Sequence, residues 1–295
     1  MIQLLRMPFR QKDMCPSSII KNITMKRLDE DLIIYSHRTI DELSFELKLR
    51  EKIILSARAM NQSNVQFATF AKSRCNPQYW YLMNTGGFLL RDDVKPSDAI
   101  QDIYMNSSQY AFECATAKVI IYYHAILHLV GEYFFNQLFP HIYLYSWHFN
   151  PNLGLKTIYT NHFSPGDVVY FSNPDFHPQT PWWIGENAVV LEDGRYFGHG
   201  LGIKTAEQMI HALNQKRKPS TTQSAYLTNL VTRPDFIHLA KISMLQRNYV
   251  IHKYQHLVIN HNESSISFDR YSFFLNTIYN NIDHINYSHY EHNCI

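Results

Sequence analysis

The chain of 295 residues contains 45% hydrophobic and 14% aromatic residues, which is typical of a globular protein, and the length allows one large domain with terminal additions. Lys and Arg number 27 against 25 Asp and Glu, so a formal charge of +2 gives no indication of a nucleic-acid or charged-membrane partner. The four cysteines lack CxxC spacing, which argues against a disulfide framework or zinc module and favours a reducing compartment.

The N-terminal part, residues 1–38, lacks strong periodicity and is predicted to be an irregular lead-in. Its charged residues leave no room for the apolar region of a signal peptide. The longest apolar stretch, residues 119–135, is interrupted by His124, His128 and Glu132 and is short for a bilayer. We therefore expect a soluble protein that is not secreted and does not span a membrane.

Two helices are predicted before the middle of the chain. Thr39 to Glu42 form a capping box, and apolar residues then recur at helical spacing, which predicts a helix over residues 40–60. Pro96 begins a second, short helix that ends near Ile103. Between the two helices, residues 67–70 and 79–83 have the composition of strands or extended loops.

The most apolar segment, residues 109–129, is predicted to be a buried central helix. A polar run over residues 105–109 offers capping groups, and Gly131 offers a stop. Cys114 lies near the first turn, directly after Glu113. The positive end of the helix dipole stabilises a thiolate, which is the nucleophilic form of cysteine. The alternative interpretation is that Cys114 is a small core residue.

Strands follow Gly131. Residues 141–149 and 168–171 are β-prone, and the turn signal Asp193-Gly194 predicts a hairpin between residues 187–191 and 196–199. A two-residue turn would place Ala188 opposite His199, and Glu186 diagonally next to His199 at roughly 7 Å. A carboxylate and an imidazole would then converge. The alternative is a surface Glu and a strand His without a catalytic role.

The C-terminal part, residues 246–295, is rich in Asn, His and Tyr and is predicted to be a poorly packed extension. Four of its residues have side chains that bind metals, although their spacing matches no structural site: His284, His289, His292 and Cys294.

Before this extension, a capping box at Thr205 begins another helix that continues to Leu213.

A nucleophile on a helix with its partner on the following sheet is the arrangement of papain-like cysteine enzymes, so an α+β fold is expected. Several segments resemble the small protein-glutamine γ-glutamyltransferases of spore-forming bacilli: YAFECATA at residues 110–117, GDVVYFSNP at 166–174, GEN at 185–187, YFGHGLGI at 196–203, FELKLR at 45–50 and QSAYL at 223–227. The resemblance runs from about residue 39 to about residue 245 and leaves both ends unexplained.

The resemblance implies one papain-like catalytic domain over residues 39–245 that forms isopeptide cross-links between spore coat proteins without a metal or other cofactor. It implies synthesis in the mother cell and deposition in the spore coat. Carried over by position, Cys114 is the nucleophile, Glu186 its partner, Glu113 a second carboxylate and His199 an orienting residue. Four aromatic residues match positions around a substrate tunnel, although each of them is equally compatible with plain core packing: Phe67, Trp147, Tyr170 and Trp183.

The chemistry sets further expectations. Attack by Cys114 creates an oxyanion that backbone N–H groups at the helix start would stabilise, and Glu186 would move protons in a titration coupled to the thiol. The sulfur should be exposed at the bottom of a dry passage close to Glu186. Ser146 departs from the acidic residue expected before Trp147, which leaves lysine recognition open. A papain-like amidohydrolase or peptidase and a non-catalytic structural coat protein are the alternative functions.

Overall fold

The computed structural model describes residues 1–9, 14, 16–244, 259–261 and 265–290. In these residues the helices are α1 (Ile19–Glu30), α2 (Ile40–Gln62), α3 (Pro96–Met105), α4 (Cys114–Val130), α5 (Glu132–Leu138), α6 (Ala206–Asn214), α7 (Phe236–Met244) and α8 (Phe268–Tyr290). The strands are β1 (Ile2–Leu4), β2 (Met7–Pro8), β3 (Tyr35–His37), β4 (Gln66–Phe67), β5 (Trp80–Leu82), β6 (Phe88–Leu90), β7 (Ala111–Phe112), β8 (Tyr143–Leu144), β9 (Lys156–Tyr159), β10 (Val168–Ser172), β11 (Gly185–Val190), β12 (Tyr196–Gly198), β13 (Gly202–Lys204) and β14 (Tyr226–Arg233).

A mixed α+β core is confirmed, with the central helix packed between a second helix and a sheet. Helix α4 contacts α2 on one side and β11 on the other. The sheet has six antiparallel strands in the order β13-β12-β11-β10-β14-β9. Apolar residues of α4 and the facing residues of this sheet belong to one buried cluster, so the helix that carries Cys114 lies at the centre of the molecule.

The central helix begins five residues later than predicted. Residues 107–109 form a short 3-10 segment, residues 111–112 form β7, and α4 starts at Cys114. The polar run that was expected to cap the helix therefore lies outside it. Glu113 is the N-cap instead. Its backbone is extended, and its carboxylate accepts hydrogen bonds from the first free N–H groups of the helix. The end at Gly131 agrees with the prediction.

The predicted hairpin forms, but its register was wrong by one residue. Ala188 pairs with Gly198, and Val190 pairs with Tyr196. The connection is longer than a two-residue turn because Gly194, with φ of +78°, is in the left-handed region typical of a three-residue loop. A shift of one residue reverses which side chains share a face, so His199 does not lie opposite Ala188.

The N-terminal part is more regular than predicted. Residues 1–38 contain β1, β2 and β3 in one small sheet, together with α1. Ile2, Met25 and Leu28 of this part pack against Leu43 and Leu47 of α2. The expectation of an irregular lead-in is therefore wrong, because the apolar partners that order this segment lie on α2. A domain boundary near residue 39 stays a prediction.

The predicted helices over residues 40–60 and 96–103 are confirmed, as is the strand over 168–171. In the other predicted β-prone segments, the strands are shorter than predicted. Only β8 forms within residues 141–149, and β4 and β5 take up parts of the other two predicted extended segments. Of the described helices, none is both long and apolar enough to cross a bilayer.

Several described residues of the C-terminal part are packed into the core. Ile259, Ile266, Phe268 and Tyr271 are buried in the main core, against the prediction of a poorly packed extension. Phe268, for example, packs against Trp147 and Phe149, and such long-range contacts cannot be read from local composition. The suggested metal ligands at the end of the chain, His284, His289, His292 and Cys294, lie outside the residues whose side chains are described.

Candidate active site

Cys114 is the first residue of α4, as a nucleophile activated by a helix N-terminus should be, but its sulfur is covered. The residue is 0% exposed, so the expectation of a sulfur exposed at the bottom of a passage is wrong for this structure. The Nδ2 atom of Asn187 lies 3.3 Å from Sγ. Burial raises the pKa of the Cys114 thiol well above its usual range, and the charges of Glu186 and Glu113 raise it further.

Glu113 is fully buried and caps the helix. Its carboxylate accepts hydrogen bonds from the backbone N–H of Ala115 at 2.8 Å and of Thr116 at 2.6 Å, and from the Thr116 hydroxyl at 2.9 Å. Burial raises the pKa of Glu113, and these donors oppose the rise. Two N–H groups that were expected to stabilise an oxyanion are thus already bound to Glu113, which is a correction to that expectation.

Glu186, on β11, has a buried carboxyl group with few polar contacts. Among the described residues no hydrogen bond of normal geometry reaches either oxygen, although the backbone amide of His199 is close enough to lower the pKa slightly. Burial raises the pKa of Glu186 to about 8, opposed by the positive charge of Lys118 and reinforced by Glu113. The side chain lies over Gly198, where an added Cβ would be 2.9 Å from Cγ of Glu186.

Lys118 is a member of the site that the sequence did not identify. It lies one helical turn after Cys114 and is fully buried, with Nζ 3.3 Å from the carbonyl oxygen of Phe197 and 4.6 Å from the centre of that ring. Burial lowers the pKa of Lys118, and the charges of Glu186, Cys114 and Glu113 oppose this change. A lysine in an otherwise apolar helix was the available signal, since such residues need a buried counter-charge.

His199 does not contact the carboxylate of Glu186 in the way the predicted register implied. Its Nε2 atom lies 3.1 Å from the carbonyl oxygen of Phe112 and 3.2 Å from that of Gln66. Two acceptors at Nε2 require a proton on that nitrogen. Burial lowers the pKa of His199 to about 3, and Lys118 lowers it as well, so the imidazole is neutral at pH 7. It holds the strand before Cys114 in place.

The four predicted aromatic residues occupy different surroundings. Phe67 and Trp183 are partly exposed and stack with ring centres 5.7 Å apart. Trp147 is fully buried, and its Nε1 donates to the carbonyl oxygen of Ile266 at 2.8 Å. The Tyr170 hydroxyl donates to the carbonyl oxygen of Ile184 at 3.4 Å. Their assignment to a substrate tunnel stays a prediction.

Ser265 and Ile266 also lie at the site, although they are about 150 residues away from Cys114 in the chain. The Asn187 amide donates to the carbonyl oxygen of Ile266 at 2.9 Å, and Ser265 is close enough to Cys114 to lower the pKa of its thiol. No local sequence pattern connects these residues to the helix. Asn187 directly follows Glu186 in the GEN segment at residues 185–187, and this position was the available signal for it.

Ser146, the departure from the expected acidic residue, is buried beside the site with φ of +50°. Its backbone N–H donates to the Thr116 hydroxyl at 2.9 Å. Within the described residues, no group of three His, Cys, Asp or Glu side chains has an arrangement that could hold a metal ion.

The chain matches a family model over residues 1–243, described as "Protein-glutamine gamma-glutamyltransferase". A protein of that name from Halalkalibacterium halodurans is 49% identical over 275 residues, which is 93% of this chain and 97% of that protein. A protein of the same name from Bacillus mycoides is 49% identical over 202 residues, covering 68% and 73% of the two chains.

A solved structure agrees with these matches. It is titled "Transglutaminase from Geobacillus stearothermophilus (without C-terminal extension)" and is 48% identical, with a TM-score of 0.67 over 70% of this chain and 100% of that chain. Sequence and fold lead to the same assignment. The chain belongs to the protein-glutamine γ-glutamyltransferase family, the transglutaminases, which are acyltransferases acting on proteins.

Proposed function

We propose that this protein transfers the γ-glutamyl group of a protein glutamine to a protein lysine through a thioester on Cys114, with release of ammonia. The observation that carries the proposal is the cluster of Cys114, Glu113, Glu186 and Lys118, all fully buried around the start of α4. Burial of ionisable groups is costly unless they compensate one another, so such a cluster is typical of a catalytic site.

Glu186 is proposed as the residue that moves protons. It takes the proton of the Cys114 thiol as sulfur attacks the carboxamide carbon, and it gives that proton to the departing nitrogen, which leaves as ammonia. In the second half, a lysine ε-amine loses a proton to Glu186 as it attacks the thioester, and the thiol is reformed. A pKa of about 8 matches this task, since a residue that both accepts and donates needs a pKa near the working pH.

The electrostatics favour one proton shared between the thiol and Glu186. Two carboxylates next to a thiolate would place three negative charges together, and Lys118 offsets only one of them. The thiol and Glu186 therefore titrate as a pair with macroscopic pKa values. Glu113 is proposed as a secondary carboxylate, because three hydrogen bonds already hold it at the helix start.

The stacked pair Phe67 and Trp183 is proposed as part of the passage for the lysine substrate. Trp183 already has a lysine against its face, since Nζ of Lys216 lies 5.5 Å from the ring centre. An aromatic ring therefore contacts an ammonium group here as it would contact a substrate lysine. Trp147 and Tyr170 complete the proposed lining, and a dry lining would protect the thioester from hydrolysis.

Spore coat proteins are the proposed glutamine and lysine substrates, with synthesis in the mother cell and deposition in the coat. This part of the proposal rests on the resemblance to enzymes of spore-forming bacilli. An isolated coat fraction would test it: incubation with the enzyme and a labelled amine should label coat proteins in preference to unrelated proteins of similar glutamine content.

The reaction is tested with a glutamine-containing protein and a labelled primary amine. Incorporation of the amine supports a transferase, ammonia without incorporation would indicate an amidohydrolase, and neither product would favour a structural role. Cys114→Ala should reduce incorporation more than about 1000-fold. Cys75→Ala is the matched control, because Cys75 is the other free cysteine described and is a partly buried residue packed against the core. Equal losses in the two variants would contradict the role of Cys114.

A further inference from the structure

A backbone carbonyl of this chain occupies the space beside the nucleophile. We call residues 265–267 the covering segment. The carbonyl oxygen of Ile266 accepts hydrogen bonds from Trp147 Nε1 at 2.8 Å and from Asn187 Nδ2 at 2.9 Å. The same Asn187 nitrogen lies 3.3 Å from Cys114 Sγ. A carbonyl group held by two N–H donors next to a thiol has the surroundings that a substrate carboxamide needs.

Ser265 also lies close to Glu113 and to Cys114. Its backbone amide is close enough to Glu113 to lower the pKa of that carboxyl, and its side chain is close enough to Cys114 to lower the pKa of the thiol. With φ of +62° it is in the left-handed region, which is unfavourable for a residue other than glycine. Ser265 and Ile266 are nevertheless fully buried, so contacts with the site must offset that strain.

Residues on both sides of the covering segment hold it over the site. Nε2 of His261 is 3.0 Å from the hydroxyl of Ser146, and the ring of Phe268 lies 5.6 Å from that of Trp147. Asn260 and His261 also form one wall of a cavity of about 530 Å³ at the surface. These contacts on both sides keep Ile266 against Asn187, which also contacts Cys114.

A covered nucleophile cannot meet a protein substrate. Cys114 has no exposed surface, and the N–H groups of Trp147 and Asn187 are already bound to a carbonyl. A glutamine carboxamide brings the same acceptor to the same place. We propose that the covering segment is a pseudosubstrate that closes the site, and that Trp147 and Asn187 bind the substrate carbonyl once the segment has been displaced. This inference rests on the proposed function.

The test uses the full-length protein and changes the one strained position. Ser265→Pro cannot adopt a positive φ and lacks the N–H that contacts Glu113, so it should release the covering segment. Ser265→Gly is the matched control, since glycine accepts the left-handed conformation. Alkylation of Cys114 by iodoacetamide, followed by mass spectrometry, should be at least about tenfold faster in the proline variant and within about threefold of wild type in the glycine variant.

A synthetic peptide of residues 259–271 provides a second measurement. Added to the Ser265→Pro protein, it should slow alkylation of Cys114 and compete with the glutamine substrate, whereas a peptide of the same composition in scrambled order should do neither. An unchanged alkylation rate in the proline variant, or equal effects of the two peptides, would overturn the inference. If the proline variant is unfolded by circular dichroism, a protease site inserted between residues 245 and 258 and cleaved in the folded protein replaces it, with the same expected acceleration.

The two readouts separate this inference from the function on which it rests. Faster alkylation together with faster amine incorporation supports both. Faster alkylation without any incorporation overturns the transferase function, while the covering of Cys114 stands. Incorporation by the wild type at the rate of the Ser265→Pro variant overturns the pseudosubstrate role and leaves the transferase function intact.

Discussion

The protein has two clusters of buried charge that differ in how their carboxylates are paired. In the first, Arg50 binds Glu46 and Asp167, each at 2.8 Å, and Arg233 binds Asp167 at 2.6 Å. In the second, around Cys114, no hydrogen bond of normal geometry reaches the carboxylate of Glu186 from the described residues. Both clusters are inaccessible to water, but direct ion pairs are found in the first.

The pKa values show what this difference means. Burial raises the pKa of Glu46, but Arg50 and His37 outweigh burial and lower it to about 2. Burial also raises the pKa of Glu186, and Lys118 compensates only in part, which leaves it at about 8. The comparison teaches that burial makes a carboxylate useful for proton transfer only where ion pairs are incomplete. We therefore expect the first cluster to contribute to the stability of the fold and the second to the proposed reaction.

The largest effect is expected from neutralising the second cluster. Glu186→Gln should lower kcat/KM for amine incorporation by about 100-fold or more, because the amide cannot accept the thiol proton. Glu113→Gln should cost much less, since Glu113 mainly caps the helix. Both variants are to be assayed in the wild-type and the Ser265→Pro backgrounds. Equal losses in the two variants would contradict the assigned roles.

Neutralising the first cluster should affect stability instead. Asp167→Asn removes the carboxylate that pairs with Arg233 and leaves Arg50 with Glu46 alone, so the free energy of unfolding should fall by about 3–5 kcal/mol. Denaturant titration followed by fluorescence measures this change. Asp193→Asn is the control: its ion pairs with Arg58 and Arg195 are partly exposed, and it should cost less than about 1 kcal/mol. Similar costs would remove the distinction between buried and surface pairs.

Glu186 and Glu46 should make the free energy of unfolding depend on pH in opposite directions. The folded state raises the pKa of Glu186, so its favourable contribution is present below the unfolded pKa and is lost as pH rises toward about 8. The folded state lowers the pKa of Glu46, so its contribution is present above the unfolded pKa and is lost as pH falls toward about 2.

Melting temperatures of the matched variants test these signs. Glu186→Gln should stabilise the protein more at pH 8 than at pH 4, and Glu46→Gln should destabilise it more at pH 7 than at pH 3. The same sign of pH dependence for both substitutions would show that the two clusters are not electrostatically distinct.

The smallest effect is expected for Lys118→Met, which removes the cation that lowers the pKa of Glu186. The pKa of Glu186 should rise, and the acid limb of the profile of kcat/KM against pH should shift upward by about one unit. Lys48→Met, on an exposed position of α2, is the control and should leave the profile unchanged. A profile that shifts equally in both variants, or downward in Lys118→Met, would contradict the role of Lys118.

Local pattern was sufficient for much of the framework. A capping box and helical spacing located α2, Pro96 located α3, and the α+β class followed from the order of a cysteine helix and a set of strands. These features depend on neighbours in the chain, which is why they are readable from it. The predicted start of α4 was five residues too early. The polar run over residues 105–109 also offers capping groups, but Glu113 caps the helix in the structure.

The sequence by itself determined where the nucleophile lies, at the start of a buried helix, because helix signals and the cysteine are adjacent in the chain. Only the tertiary structure decided its surroundings. Hairpin register, the approach of Lys118 to Glu186, and the position of Ile266 over Cys114 depend on contacts between residues far apart in the chain. The physical reason is that burial and charge compensation arise when separate elements pack, and no local pattern records which elements will meet.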